Sequence, residues 1–225
     1  MVGSFNPEKE QERQNNRERR ERGGAPEWQP KTLLGKLVKS GDVTSLEQVY
    51  ERNLPILESE IIDVLVPNLK EEIINIRTVQ RTTDSGRKGS FMVSAAIGNK
   101  DGAVGIGTGK GLELRPTIEK AVREAKKNLV QVKRGCGSWE CGCSENHSIL
   151  FKLHGRESSV KIDLLPAPKG TGIVAGATVK KVLELAGVKD AWSLTKGNTK
   201  TKLNTAIAAF NALKQSRKTK LDKEN

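Results

Sequence analysis

The segment at residues 81–127 constrains the fold of this chain more than any other stretch of the sequence. Apolar side chains occupy alternate positions in its first part, the pattern of a strand with one buried face: Phe91, Val93, Ala95 and Ile97. Glycine-containing turns at residues 84–90 and 99–102 bound this strand on both sides. The segment therefore predicts consecutive antiparallel strands that form a β meander.

The next predicted strand carries glycine on every second residue, at Gly105, Gly107 and Gly109. A bare strand face marks a place where another backbone comes close, either RNA or a packed helix, and the glycines alone favour the helix. After Pro116, which suits a first helical turn, apolar residues recur at helical spacing and predict an amphipathic helix. The outer face of this helix is cationic, with Lys120, Arg123, Lys126 and Lys127.

The positive charge of the chain is concentrated in its last two thirds. The sequence has 39 basic and 27 acidic residues, which gives a formal net charge of +12. Residues 1–69 carry slightly more acidic than basic side chains, so the whole excess lies in residues 70–225, including a charged tail at residues 216–225. Such a field attracts polyanions, with nucleic acid the leading candidate and an anionic membrane surface second.

Other features of the sequence limit the cellular setting. No apolar run approaches the roughly 20 residues that cross a bilayer, and the first 22 residues are too charged for a signal peptide. Three cysteines, an odd number crowded between residues 136 and 143, do not suit a secreted disulfide framework. We therefore expect a soluble, intracellular protein without a membrane partner.

Composition divides the first half of the chain into three parts. Residues 1–30 are rich in Glu, Arg, Gln and Asn and predict a disordered charged arm, which either orders on a partner or only solubilises the chain. Residues 31–57 contain short amphipathic stretches and form an N-terminal extension. Residues 58–135 predict a compact domain with a helix at 58–66, a strand at 69–82, two further strands and the basic helix. Helices on one face of an antiparallel sheet give an α+β domain.

A cysteine-rich insertion, residues 136–148, follows this domain. Four of its residues have the spacing Cys-x4-Cys-x-Cys-x3-His and side chains that zinc prefers as ligands: Cys136, Cys141, Cys143 and His147. They define a candidate structural zinc site. The paired Cys-x2-Cys spacing is absent and free cysteines are often inert, so three unligated thiols are the alternative.

A second domain is predicted at residues 149–215. Alternation of apolar residues predicts strands at 149–153 and 159–165. A helix that Thr178 caps, a third strand and a closing amphipathic helix that starts near residues 198–199 complete this unit. The chain as a whole is therefore predicted to belong to the α+β class.

Several motifs occur in an order and at a spacing that match one known family. They are GRKGSF at the first basic turn, AVGIGTGKG in the glycine strand, EKAVREAKKN in the helix, and LLPAPKGTGIVAG followed by KKVLELAGVKDAWSLTKGNT in the second domain. Over residues 45–215 the chain resembles the small-subunit ribosomal protein S-five family, in its archaeal and eukaryotic branch. Bacterial members lack the cysteine-rich insertion and the charged arm, so the resemblance assigns no contact to those segments.

The resemblance implies a fold and a function. The first domain is expected to have an α-β-β-β-α fold similar to the double-stranded-RNA-binding domain, and the second a β-α-β fold that some translation factors share. Family members are structural constituents of the small ribosomal subunit, bind 16S-type rRNA and contact the S-four and S-eight family ribosomal proteins. They flank the mRNA path where it enters the subunit, support translational accuracy and require no cofactor. We therefore expect a cytoplasmic, ribosome-bound chain that is not a homo-oligomer.

Twelve residues are predicted to contact RNA. The resemblance assigns this role to the basic hairpin at residues 86–89 and to the second-domain loop at residues 169–172, and the other candidates are cations of the first basic segment. The full set is Arg81, Gly86, Arg87, Lys88, Gly89, Lys110, Arg115, Lys126, Lys127, Lys169, Gly170 and Gly172. Lys and Arg on rigid loops neutralise phosphates and fit the shape of a folded RNA without reading its bases.

Two other functions compete with this one. The first is a free-standing double-stranded RNA-binding or RNA-processing factor. The second is an enzyme, because GIGTGKG invites a nucleotide-binding interpretation. A phosphate loop, however, needs Gly where Val104 stands and Ser or Thr where Gly111 stands. With no Ser/His/Asp arrangement present either, we expect no catalytic residue.

The few aromatic residues also bear on the kind of RNA that is bound. Only eight occur, so a stacking platform for single-stranded RNA is not expected. Phe91, Phe151 and Phe210 lie in patterns typical of a core. For Trp139 and Trp192, burial in a core or an interface is favoured over a surface contact.

Overall fold

The computed structural model describes residues 28–143 and 145–218, which form two β-sheets with helices packed against them. The first half contains α1 (Leu33–Ser40), α2 (Leu46–Glu51), α3 (Glu60–Leu65), β1 (Lys70–Thr83), β2 (Gly86–Gly98), β3 (Ala103–Gly111), α4 (Leu114–Lys127) and β4 (Val130–Gln131). Most of the predicted arm, residues 1–27, and most of the predicted tail, residues 219–225, lie outside the described residues.

The second half contains the remaining elements. They are β5 (Leu153–Glu157), β6 (Val160–Pro166), β7 (Ile173–Val174), α5 (Ala177–Leu185), β8 (Ala191–Lys196), α6 (Lys202–Gln215) and a 3-10 turn (Ser216–Lys218). Across the part of the chain that the structure describes, no helix has the length and apolar character needed to cross a membrane.

Each half of the chain builds its own four-stranded sheet. The first sheet has the order β1-β2-β3-β4 and is antiparallel throughout, with α3 and α4 on one face. The second sheet has the order β5-β6-β8-β7, in which only β7 and β8 run parallel. The predicted helix-strand-strand-strand-helix order of the first unit and the α+β class are confirmed.

Helix α4 lies directly on the glycine face of β3. A Cβ atom at Gly105 or Gly107 would overlap the backbone of Ala125, and one at Gly109 would overlap the carbonyl of Thr117. This close approach leaves Ala125 completely buried. The packed-helix alternative for these glycines is correct, and this face of the sheet is closed to RNA.

The opposite face of the first sheet packs against the second domain. Side chains from β2 and β3 share one buried apolar cluster with side chains from β6, α5 and α6. Backbone N–H groups of Lys100 and Gly102 donate to the carbonyls of Leu185 and Ala186, at 2.9 and 3.1 Å. Because apolar burial stabilises by about 25 cal/mol per Å², this common core holds the two units as one body.

The N-terminal extension is attached to the first domain. A third buried cluster joins α1 and α2 to Ile61 of α3. The indole N–H of Trp28 donates to Glu58 at 2.9 Å, and the same carboxylate accepts from the backbone N–H groups of Lys31 and Thr32. The chain is therefore fixed from Trp28 onward, just before the predicted end of the arm.

The first strand of the second domain lies further along the chain than predicted. The sequence pattern indicates residues 149–153, but β5 spans Leu153–Glu157. Ile149 is instead buried, and its carbonyl accepts a backbone N–H from the insertion. Gly155 occupies an inward-facing position of β5. Only glycine fits there, because a side chain would overlap the carbonyl of Ala208 in α6. The missing side chain hides the alternation that would have marked the strand.

Two helix starts also differ from the prediction. Gly176, rather than Thr178, precedes α5, and no side chain caps it. Helix α6 begins after Thr201, because residues 198–201 form a turn in which the Thr201 hydroxyl donates to the carbonyl of Asn198 at 2.7 Å. The strands β4 and β7 have two residues each, too few to produce a periodic pattern in the sequence.

Three aromatic residues are more exposed than predicted. Phe151 is 38% exposed, since it precedes β5 instead of lying inside a strand. Trp139, in the cysteine-rich insertion, is 92% exposed, and Trp192 is 37% exposed. The core assignment of Phe151 is therefore wrong, and neither Trp139 nor Trp192 is a buried core residue. Burial of the two tryptophans in an interface stays a prediction.

Candidate nucleic-acid interface and metal centre

The outer ends of β1 and β2 form a two-stranded ribbon, residues 79–90, that extends beyond the rest of the first sheet. Strand β3 ends opposite Phe91, so the ribbon has no third strand beside it among the described residues. Asp84 and Ser85 form its two-residue turn, and Gly86 follows with a φ of +133°. Most of its side chains are exposed, so the ribbon contributes little to the core.

The ribbon presents uncompensated positive charge. Arg81 and Lys88 lie directly opposite each other in the strand register, and Arg87 lies opposite Thr82. None of the three cations forms an ion pair with any residue that the structure describes. Because like charges directly opposite destabilise a strand pair, this arrangement does not serve the stability of the sheet.

The basic face of the ribbon continues into the sheet. Arg77 lies opposite Met92, and Met92 lies opposite Lys110 on β3. Cross-strand partners share a face, as do residues two or four apart on one strand. Arg77, Arg81, Lys88 and Lys110 therefore lie on the same face, and the position of Arg77 becomes evident only from the register.

A cleft beside this face brings in cations that the sequence analysis missed. It has a volume of about 370 Å³ and lies between β1 and the start of α6. Arg77 lines one wall, and Lys200 and Lys202 line the other. These residues are more than 120 positions apart in the sequence, so only the packing of the two domains brings them together.

The candidate cations of α4 do not form one cluster. Arg115 lies in the first turn of the helix and Lys127 at its end, about 18 Å apart along the axis. Both are exposed. Lys126 differs, since its Nζ lies 2.6 Å from Asp63 and its side chain is only 16% exposed. The ion pair compensates the charge of Lys126, which makes it the least suited of the set to bind a phosphate.

The second basic segment is a tight loop, residues 168–172, between β6 and β7. Lys169 is exposed, and Gly170 and Gly172 have φ values of +92° and +72°, a region that favours glycine. Asp190 accepts from the backbone N–H groups of both glycines, at 3.1 and 2.8 Å. Because Asp190 is only 4% exposed, a buried carboxylate and not strand pairing fixes the loop.

The four residues of the predicted metal site come together in the structure. The ligand atoms of Cys136, Cys141, Cys143 and His147 all lie within 4.8 Å of one another. The Sγ atoms of Cys141 and Cys143 are 3.0 Å apart, and His147 Nε2 lies 3.1 Å from Cys143 Sγ. The three cysteines form no disulfide.

This donor set fits a tetrahedral zinc ion. With bonds of about 2.3 Å to sulfur and 2.0–2.1 Å to nitrogen, the donor atoms of a tetrahedron lie about 3.6–3.8 Å apart. The two pairs at 3.0 and 3.1 Å reach this spacing by shifts of less than about 1 Å. The Nδ1 atom of His147 lies 2.8 Å from Asp190 Oδ2, which leaves Nε2 directed at the cysteines. A carboxylate on the second ring nitrogen is the usual partner of a metal-bound histidine.

Hydrogen bonds favour the thiolate form of one cysteine in this cluster, Cys141. A bond from the Cys143 thiol and one from the backbone N–H of Lys169 lower the pKa of Cys141 to about 6. Loss of hydration, together with the neighbouring thiols, raises the pKa of Cys136 to about 11. Because the thiolate is the form that binds metal, Cys141 is the sulfur best prepared for ligation.

Comparison with known families matches both halves of the chain. Residues 69–133 match the family described as "Ribosomal protein S5, N-terminal domain", and residues 155–224 match "Ribosomal protein S5, C-terminal domain". Residues 134–154, which contain the candidate metal centre, fall between the two matches. The two matched segments correspond to the two sheets and their helices.

Archaeal relatives extend the match over most of the chain. Each of the following three is named small ribosomal subunit protein uS5. The protein of Hyperthermus butylicus is 54% identical over 193 residues, which cover 85% of this chain and 91% of the relative. That of Saccharolobus solfataricus is 52% identical over 187 residues, 83% of this chain and 87% of the relative. That of Methanocaldococcus jannaschii is 51% identical over 188 residues, which cover 84% of this chain and 87% of the relative.

These matches define the class of protein, a ribosomal protein with two α+β domains. The chain belongs to the ribosomal protein S5 family. The resemblance to the archaeal branch is thereby confirmed. Members of this family are ribosomal proteins and not enzymes, which agrees with the expectation of no catalytic residue.

Proposed function

We propose that the chain is a structural constituent of the small ribosomal subunit that binds 16S-type rRNA through two basic surfaces. The first is the ribbon at residues 79–90 with the adjoining cationic face of the sheet. The second is the loop at residues 168–172. The observation that carries this proposal is the set of cations that no described residue pairs, on a ribbon that has no packing role.

The ribbon meets the requirements for a contact with folded RNA. Arg81 and Lys88, which lie opposite each other on one face, and Arg87 on the other face gain most from a partner with closely spaced negative charges, such as a phosphate backbone. A regular strand pair also holds them in place before binding, so little conformational entropy is lost when the RNA arrives. Shape and charge are what a structured RNA offers to a protein, because its deep groove hides the base edges.

Gly89 supports the same assignment. A Cβ atom at this position would meet no other described atom, and its backbone does not adopt a positive φ. Glycine in a strand weakens that strand relative to alanine, so the fold gains nothing from Gly89. We assign its bare surface to the close approach of an RNA backbone. Gly86 extends this bare surface, although its φ of +133° is a reason of its own for glycine.

The other candidates extend these two surfaces. Lys110 shares the ribbon face, and Arg115 and Lys127 are exposed on α4. Lys126 binds RNA only after it leaves Asp63. In the second domain, exposed Lys169 pairs with Glu145 at 2.7 Å and exchanges this partner for a phosphate, beside two glycines that add no bulk. These are Gly170 and Gly172, where a Cβ atom would meet no other described atom.

Further partners follow from the family. We propose that the chain contacts the S-four and S-eight family ribosomal proteins, flanks the mRNA path where it enters the subunit, and supports translational accuracy. In this role it is cytoplasmic and ribosome-bound and acts as a single copy rather than a homo-oligomer. The two basic surfaces lie on different domains of one rigid body, which suits a protein that joins several neighbours.

Charge reversal on the ribbon tests the RNA contact. We expect Arg87→Glu with Lys88→Glu to lower affinity for 16S-type rRNA at least tenfold and to reduce the slope of log affinity against log salt by about 2, roughly one for each phosphate that is no longer neutralised. The melting temperature should hardly change, because the side chains are exposed. The matched control, Lys36→Glu with Lys214→Glu, makes the same change in charge at exposed positions elsewhere.

Two results would count against this assignment. Equal rRNA affinity in the ribbon variant and its control would remove the ribbon from the interface. Equal affinity of the unmodified chain for 16S-type rRNA and for arbitrary duplexes would favour the alternative, a free-standing double-stranded RNA-binding or RNA-processing factor.

We also propose that Cys136, Cys141, Cys143 and His147 hold one structural zinc ion. Four protein ligands close the coordination sphere, so the ion supplies folding energy and no open position for a substrate. In zinc-finger peptides this contribution is about 10–16 kcal/mol at pH 7. The insertion has few buried side chains of its own, and a metal is a sufficient source of its order.

Metal analysis of the purified chain tests this proposal. We expect one zinc ion per chain by mass spectrometry under reducing conditions without chelator, and less than one tenth of that in Cys141→Ser with Cys143→Ser. A ratio near zero for the unmodified chain would leave the alternative of three unligated thiols. Iron in place of zinc would change the identity of the metal, because sulfur-rich tetrahedral sites also suit iron.

A further inference from the structure

Asp190 lies between the metal centre and the 168–172 loop and bonds to both. One carboxylate oxygen, Oδ2, is 2.8 Å from His147 Nδ1. The other, Oδ1, accepts the backbone N–H groups of Gly170 and Gly172 at 3.1 and 2.8 Å. The side chain of Asp190 is 6% exposed and that of His147 is 3% exposed, so water hardly competes for these bonds.

A second set of contacts joins the same two parts of the structure. The Nζ atom of Lys169 in the loop lies 2.7 Å from a carboxylate oxygen of Glu145 in the insertion. On the far side of Asp190, Ser148 Oγ donates to the Asp190 carbonyl at 2.6 Å and accepts from the Ala167 N–H at 3.2 Å. The insertion therefore contacts the chain where the loop begins, at Ala167 and Lys169.

We propose that Asp190 is a positioning residue that couples metal binding to the geometry of the RNA-contacting loop. The inference rests on the zinc site and on the loop contact proposed above. A bound metal fixes the imidazole of His147, the imidazole fixes the carboxylate of Asp190, and the carboxylate holds two glycine N–H groups in a backbone with positive φ. The metal then preorganises a basic loop that it does not touch.

The donors and acceptors on Asp190 make this coupling specific. A metal on Nε2 requires the proton of the neutral imidazole on Nδ1, where it donates to the carboxylate. The two glycine N–H groups also need an acceptor. A carboxylate accepts at both oxygens, whereas an amide of the same size has one oxygen and one donor group. Asparagine at position 190 therefore satisfies the imidazole or the glycines, but not both.

Amide hydrogen exchange in the full chain tests the coupling. We expect removal of zinc by a chelator to speed exchange of the Gly170 and Gly172 amides at least tenfold, with no change in the ribbon amides at residues 86–90. In Asp190→Ala, these two glycine amides should exchange fast with or without zinc. Zinc affinity, measured by competition with a chromophoric chelator, should fall about 10- to 100-fold, the usual effect of removing such a partner.

The outcomes separate the two proposals. If the unmodified chain binds no zinc, both the metal site and the coupling are wrong. If it binds zinc but the exchange of Gly170 and Gly172 does not respond to chelation, the zinc site stands and the coupling is wrong. Should Asp190→Ala fail to fold, Asp190→Asn keeps the volume of the side chain and must show either weaker zinc binding or faster glycine exchange. Wild-type values for both would overturn the coupling.

Discussion

The two basic surfaces of this chain are held in place by different means. The ribbon at residues 79–90 is regular antiparallel structure whose backbone bonds are satisfied within the strand pair, and its exposed side chains contribute little to the core. The loop at residues 168–172 has no strand pairing within the described part of the chain. A buried carboxylate, which is itself bonded to His147 of the candidate metal centre, holds it instead.

The difference shows two solutions to one problem. Cations that fit a preformed polyanion must be fixed before binding, because ordering them afterwards costs entropy. Strand pairing fixes the ribbon with local bonds and needs no partner beyond its own two strands. A five-residue turn is too short for such pairing and depends on side chains brought from distant parts of the sequence. The loop should therefore be sensitive to changes that leave the ribbon intact.

The largest effect is expected when the metal centre is removed. We predict that Cys143→Ser abolishes zinc binding and lowers the free energy of unfolding by more than about 4 kcal/mol, the range seen when a metal site is destroyed. Glu140→Gln, in the same insertion and exposed, is the matched control. Urea unfolding measures the change. Cys143→Ser with wild-type stability would show that the insertion needs no metal, and the comparison of the two surfaces would lose its basis.

A smaller effect is expected in the sheet that carries the ribbon, where α4 packs on β3. Gly107→Ala places a methyl group against the backbone of α4, and overpacking of this kind costs about 1–3 kcal/mol. Thermal unfolding should show the loss of stability, while zinc content stays at one ion per chain. If the variant were as stable as the wild type, α4 could not lie as close to β3 as the structure places it.

Gly89→Ala is the counterpart of this variant on the ribbon itself. The new methyl group meets no described atom, so we expect unchanged stability or a gain of about 0.5–1 kcal/mol. Affinity for 16S-type rRNA should nevertheless fall roughly fivefold, equal to about 1 kcal/mol of binding free energy. A filter-binding titration measures it. Full retention of affinity would mean that no RNA backbone approaches this position.

The smallest effect is expected for the exposed ion pair between Lys169 and Glu145. Lys169 lowers the pKa of Glu145, so the pair contributes above the ordinary pKa of a carboxyl group and is lost as the pH falls through the lowered value. Because both side chains are more than half exposed, solvent screens the pair. We predict that Glu145→Gln changes Gly170 and Gly172 amide exchange less than about twofold. A change as large as that in Asp190→Ala would transfer the coupling from the buried carboxylate to this ion pair.

The regular secondary structure of this molecule could be predicted from the sequence. Alternating apolar residues located β2, and the bare face of β3 indicated the helix that packs on it. The cysteine spacing predicted four metal ligands, and the structure places all four side chains close together. In each case the residues that interact are close in the sequence or follow one period.

The parts that were missed depend on contacts between distant segments. Asp190 lies 43 residues from His147, and nothing in the local pattern marks it as a partner. Lys200 and Lys202 meet Arg77 only because the two domains pack together. Strand β5 was misplaced for a related reason, since a glycine at position 155 makes room for α6 and interrupts the apolar alternation. Tertiary packing decided these positions, and a single sequence does not display it.

A cryo-EM map of the small ribosomal subunit from the cell of origin shows whether the two basic surfaces face ribosomal RNA. We expect the ribbon and the 168–172 loop of this chain to lie against ribosomal RNA, with a single strong density peak among Cys136, Cys141, Cys143 and His147. If both segments faced solvent in the map, or if the subunit lacked the chain, the proposed role in binding rRNA would be wrong.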